Sequence, residues 1–181
     1  EKTKGCFSRC SGSTCSKLLT WQKDGSKIKF EIQEQVSYSP ENRWVAIGFS
    51  NDKNMGGASV VMCQHKTGGD PIVLGYNDGL VFTVLPQSNS TANMITGGSL
   101  TVTGNIIRCS FERQINSTND KVYDLNKEWY ILMGNGPISA GTPVQHEDFP
   151  IASDVRVNLS EFSGISGGVH TPTTIKIHGC L

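Results

Sequence analysis

No window of this chain approaches the ~18 consecutive apolar residues that a membrane-spanning helix needs, so no segment reads as a span. Charge of one sign is also lacking: 16 Lys and Arg face 16 Asp and Glu, and basic residues do not cluster into runs. That balance removes the electrostatic footprint of a nucleic-acid binder. Long amphipathic helical patterns are missing, as are a phosphate-binding Gly-rich loop, an H-E-x-x-H pair and a C-x2-C pair. Nucleotide hydrolysis, zincin chemistry and a zinc finger are therefore not indicated. The first residues, Glu1-Lys2-Thr3-Lys4, lack the apolar stretch of a signal peptide, as expected of a mature or trimmed chain.

What is present fits one well-buried domain: 181 residues, 36% of them hydrophobic. Six cysteines, Cys6, Cys10, Cys15, Cys63, Cys109 and Cys180, point to disulfides and an oxidising compartment. Asn-x-Ser/Thr sequons at Asn89, Asn116 and Asn158 agree with a secreted, extracellular or lumenal glycoprotein. Residues 27–33 alternate strictly, with Ile28, Phe30 and Ile32 on one face, the period of a strand with one wet side. Further strand candidates are Leu18–Trp21, Trp44–Phe49, Val60–Cys63, Pro71–Tyr76, Leu80–Val84, Ile106–Phe111, Trp129–Met133 and Asp154–Asn158. Turns are expected at Asn77-Asp78-Gly79 and Gly134-Asn135-Gly136-Pro137, and a surface loop or an irregular edge over Pro86–Gly98. Many short strands separated by turns predict an all-β fold, an antiparallel β-sandwich. The expected organisation is a disulfide-pinned N-terminal arm over residues 1–16, the sandwich over 17–163, and a flexible tail over 164–181. The arm lacks periodicity, so it is expected to be stapled to the sandwich through Cys63 or Cys109.

One stretch carries chemistry. Between the strand candidates at Trp44–Phe49 and Val60–Cys63 lies Asn51-Asp52-Lys53-Asn54-Met55-Gly56-Gly57, which sets a methionine in a polar turn. Its bland role is packing on loop neighbours; its chemical one is a soft thioether ligand, since Met with His is a standard axial pair for haem iron. The two glycines after it let a flat ligand approach the backbone. Met62 and Met133 sit in apolar runs and read as core, and Met94 sits in the polar loop. Among the histidines, His146 lies in a loop after the Trp129 strand candidate, flanked by Glu147 and Asp148, either of which could orient its ring. His65 reads as a solvated strand end, and His170 and His178 fall in the tail. Gly164-Ile165-Ser166-Gly167-Gly168 matches G-x-S-x-G, but without the strand–helix context of a nucleophile elbow it reads as linker.

WVAIGFS…KNMGGASVVMC, then IIRCSFER, then WYILMGNGP…HED, resembles a DOMON domain, and within that family the ectodomains of ferric-chelate-reductase-like membrane proteins. The resemblance runs roughly from Cys6 to Phe162. It implies a sandwich that holds one haem b with Met55 and His146 as axial ligands to the metal, and no catalytic residue. Its implied task is relay of single electrons between a transmembrane cytochrome b, expected in the same full-length chain, and an extracellular acceptor such as ferric iron. The isolated domain would be a carrier within a ferric-reductase-type oxidoreductase. Because protons and iron compete for a histidine nitrogen, acid is expected to break the His146 bond before the Met55 bond. Related ectodomains often carry acidic residues after the Met-Gly pair, where this chain has Ala58-Ser59, which alters the charge expected around the pocket. The alternative is a haem-free module that binds a sugar, a catechol or a receptor partner, with Trp44, Trp129, Tyr130 and Phe149 lining its pocket.

Overall fold

In the computed structural model, residues 4–147 and 150–160 are described in full and residues 176–179 as backbone. In chain order the strands are β1 (Gly5–Ser11), β2 (Thr14–Asp24), β3 (Lys27–Gln35), β4 (Arg43–Ser50), β5 (Ser59–His65), β6 (Ile72–Asp78) and β7 (Val81–Val84). They continue as β8 (Ile95–Thr103), β9 (Ile106–Gln114), β10 (Glu128–Ser139), β11 (Thr142–Pro143), β12 (Ile151–Ala152), β13 (Val157–Asn158) and β14 (Lys176–Gly179). They form two antiparallel sheets. One runs β14-β1-β2-β3-β9-β8, the other β11-β10-β4-β5-β6-β7 with β12 and β13 alongside β10. The expected all-β sandwich is the observed fold.

The alternation read over residues 27–33 places Ile28, Phe30 and Ile32 inside, all at most 2% exposed. Phe30 meets Phe49 of the facing sheet with ring centroids 5.9 Å apart, and Phe111 beside it at 5.4 Å. The main core between the sheets also takes Phe7, Leu19, Val45, Ile47, Val61 and Ile131. Strand β4 differs from a simple half-wet strand, since all eight of its residues are buried. Its inner positions join the main core, and its outer positions, Trp44 and Ala46, join a second apolar cluster with Ala58, Val60, Met62, Leu132 and Ile138. An outward face of a sheet that remains apolar needs something to cover it.

Several expectations are corrected by long-range pairing. Where an aperiodic arm was expected, Gly5–Ser11 pairs with β2 and buries Phe7 completely. Cys63 of β5 bonds Cys109 of β9 and ties the two sheets, while Cys10 and Cys15 close the β1–β2 hairpin. The arm is therefore not stapled through a strand cysteine: sheet hydrogen bonds fix it, and Cys63 and Cys109 use each other. Cys6 is buried on β1, and Cys180 lies outside the described residues.

Further findings concern strand limits. At the end of Pro86–Gly98 the irregular edge is what forms: β8 begins at Ile95 on the edge of its sheet, with its register shifted between Thr96 and Ser99, and Met94 is 7% exposed in the main core. Of Asp154–Asn158, only Val157 and Asn158 pair, with Trp129 and Glu128. The tail expected to be flexible returns at its end as β14, antiparallel to β1, with Cys6 opposite His178. The G-x-S-x-G stretch and His170 lie outside the described residues.

The turn expected at residues 134–137 is instead the middle of β10, paired with β4 so that Gly136 faces Trp44. Gly136 serves the tryptophan rather than a bend. A Cβ on Gly136 would lie 2.7 Å from Trp44 Cζ2, inside the indole that crosses the strand. Gly136→Val is expected to displace Trp44 and cost about 1–3 kcal/mol, as overpacked sites do. Thermal or urea unfolding checks this, with Gly141→Ala as a control in open space, strained only by its φ of +79°.

Candidate functional site

The second apolar cluster floors a cleft of about 390 Å³ on the outer face of the eight-stranded sheet. Met55 lines one side and His146 the other, with Trp44, Ala46, Val60 and Met62 between them and Phe82 at the β7 edge. The structure thus brings together the two residues singled out from the sequence, both half-buried. Leu80, 96% exposed, and Val81 and Val144 stand at the same cleft and leave its mouth apolar. The volume lies within the roughly 300–1,000 Å³ of small-molecule and cofactor sites.

The Met55 side is built from hydrogen bonds. Ser50 Oγ donates to Asn54 O at 3.1 Å, and Asp52 Oδ1 accepts from Asn54 N at 2.8 Å. These backbone and side-chain bonds from Asn54, with help from Ser50, hold the Asp52 carboxyl below its usual range. Met55 to Ala58 then forms a tight turn, Ala58 N donating to Met55 O at 3.2 Å, with Gly57 at φ +76°. That φ is the reason for glycine at the third turn position. Ala58 and Ser59 are 0% and 1% exposed, so small neutral residues stand where a carboxylate would be buried.

The His146 side hangs from β10 and Trp44. Residues Thr142–Pro143 pair with the end of β10, Trp44 Nε1 donates to Val144 O at 3.1 Å, and Glu147 N donates to Asn135 O at 3.3 Å. Glu147 does not orient the His146 ring in this structure. Its carboxylate accepts from Arg43 Nη1, a guanidinium 8% exposed, which locks the loop instead. Asp148 lies outside the described residues. Asn135 is tied across the sandwich: its Nδ2 and Lys17 Nζ both donate to Glu34 Oε2, each at 2.6 Å. Desolvation of such a buried pair offsets much of its attraction, so its net contribution to stability is small.

Of the rival ligands with described side chains, Met62 shares the cleft and the others sit elsewhere. Met133 is in the main core, as expected. Met62 is 3% exposed and lies on the cleft floor, its sulfur 3.8 Å from Gln64 Nε2. His65 places Nδ1 2.8 Å from Pro40 O at the end of β5. Of the aromatics set out for a haem-free pocket, Trp44 lines the cleft, whereas Trp129 is 7% exposed in the main core, stacked on Tyr123 at 4.2 Å. Tyr130 lies between Lys53 and Arg156, and Phe149 is outside the described residues. Among the described residues no cluster of three His, Cys, Asp or Glu could hold a bare metal ion. The donor set here, one thioether and one imidazole over an apolar floor, is instead of the kind that could hold a haem. Sequence reasoning missed Asn77, 4% exposed at the cleft, because Asn-Asp-Gly reads locally as a turn.

Fold and cleft together define an all-β sandwich with a cofactor-sized site on one outer sheet face. The DOMON domain family profile matches residues 13–136, and the chain belongs to that family. It is 31% identical to human DOMON domain-containing protein FRRS1L over 91% of this chain and 55% of that protein. It is 24% identical to Mus musculus ferric-chelate reductase 1 over 91% of this chain and 26% of that protein. The chain thus spans about half of the one relative and a quarter of the other. The fold is similar to the cytochrome domain of Myriococcum thermophilum cellobiose dehydrogenase, with a TM-score of 0.53, 11% identity and coverage of 85% of this chain and 83% of that one.

Proposed function

We propose that this domain is an electron-transfer module that holds one haem b in the cleft, with Met55 and His146 as its axial ligands. The observation that carries the reading is that a half-buried thioether and a half-buried imidazole, from distant parts of the chain, line one apolar cleft. Similarity to a protein named as a ferric-chelate reductase and to a cytochrome domain supports it. When bound, the haem would supply a one-electron ferric–ferrous couple. Met55 and His146 would hold it, and the apolar lining of the cleft would keep water away from it. Thioether ligation favours the ferrous state and raises the potential. The donor and acceptor that suit this task are a transmembrane cytochrome b in the same full-length chain and an extracellular acceptor such as ferric iron. Asn89 and Asn116 are exposed in the fold and available to carry glycans, and the two disulfides fit an oxidising, extracellular setting.

Titration of the purified domain with haem tests the proposal. The expected result is one-to-one uptake and a low-spin spectrum that sharpens on reduction. A protein that stays colourless at micromolar haem would overturn it and favour a haem-free binding module, with the same cleft open to another apolar ligand.

A further inference from the structure

We propose that Asn77 and Tyr123 are positioning residues that clamp the Met55 turn and so set the strength of the Met55 bond, a role whose purpose rests on the haem reading but whose geometry does not. A turn with two adjacent glycines has much conformational freedom to lose, and a neutral thioether binds iron weakly unless held in place. The turn is gripped from two sides. Asn77 of β6 supplies three hydrogen bonds: Nδ2 donates to Met55 O at 3.0 Å, its carbonyl accepts from Gly57 N at 2.8 Å, and its N–H donates to Ala58 O at 3.0 Å. From the other side Tyr123 Oη donates to Gly57 O.

Tyr123 is itself immobilised. Its ring stacks on Trp129, meets Tyr76 edge-on at 6.5 Å, and its carbonyl accepts from Arg113 Nη2 at 2.5 Å. Trp129 is fixed in turn, Nε1 donating to Asp124 O at 2.8 Å. Arg113 is fully buried on β9 with its guanidinium 5.0 Å over Phe49. Burial pushes its pKa down to about 9 despite Asp124 nearby, so it is still a cation at neutral pH. A continuous set of contacts therefore runs from the six-stranded sheet, through Arg113 and Tyr123, to the turn that bears Met55. Burial, with Tyr76 beside it, also keeps the Tyr123 hydroxyl protonated above the ordinary phenol range.

Tyr123→Phe retains both ring contacts and removes only the hydroxyl. In the haem-free protein, amide hydrogen exchange at Gly57 and Ala58 is expected to quicken about fivefold, the factor one net hydrogen bond is worth, with β4 and β9 amides unchanged. In the haem-loaded ferric protein, added imidazole competing for the thioether's position is expected to bind about fivefold tighter, and the reduction potential to fall. Asn77→Ala keeps both backbone bonds and removes only the Nδ2 bond to Met55 O, so its effects should be of similar size, and Tyr130→Phe should show neither. Unchanged exchange and imidazole affinity in Tyr123→Phe would overturn the proposal, as would exchange that quickens equally throughout the fold. Should the wild-type protein take up no haem, the haem reading fails, and local exchange alone decides whether the clamp exists.

Discussion

Alanine at both Met55 and His146 is expected to leave a folded sandwich that no longer gives a low-spin haem spectrum. Neither side chain is needed by the main core: each is half-buried at the cleft, and the two sheets close beneath them through Phe30, Ile47 and Phe49. Unfolding should thus change little while haem affinity falls by more than the roughly 10–100-fold that loss of an outer supporting group costs a metal site. The single variant Met55→His sharpens the test. It should keep six-coordinate haem and lower the potential, because a second imidazole stabilises ferric iron more than a thioether does. Redox titration of wild type and variant checks this. An unchanged potential would mean that Met55 is not a ligand.

Removing the Cys63–Cys109 bridge should produce the largest loss of stability. It closes a segment with a sequence separation of 46 and joins β5 to β9 across the core. Chain entropy for a loop of that size amounts to about 4 kcal/mol, against about 2 kcal/mol for the hairpin bridge Cys10–Cys15, with its separation of 5. In a domain of this size the difference between wild type and Cys63→Ala/Cys109→Ala should lower Tm by on the order of 10 °C. The matching Cys10→Ala/Cys15→Ala variant should shift it about half as far. Calorimetry that ranks the two in the opposite order would show that the sheets are held together mainly by packing.

Most strand interiors were legible in the chain itself, for a local reason. Side chains on a strand alternate faces, so Ile28, Phe30 and Ile32 declare their common direction without reference to any other residue. Met55 was legible through incongruity, a soft apolar side chain set in a polar turn, and His146 through its place in a loop once family resemblance supplied the pairing. Local composition misled wherever the partner was distant. Gly134-Asn135-Gly136-Pro137 has the makeup of a turn, yet it is strand, paired with β4, and Trp44 fills the space that Gly136 leaves. Asn77 has the makeup of a turn residue, yet it grips the Met55 turn with its backbone and its amide. Glu147 looked like a partner for His146, but the buried guanidinium of Arg43 takes it.

By itself, the sequence determined an all-β, disulfide-bearing domain and the two side chains worth testing as ligands, because alternation, cysteine count and residue chemistry are properties of the chain. Only the tertiary structure decided that Cys63 bonds Cys109, that β1 and β14 complete a sheet, and that Met55 and His146 share one cleft. Each of these joins segments far apart along the chain, and their meeting depends on how two sheets pack, which no local spacing records.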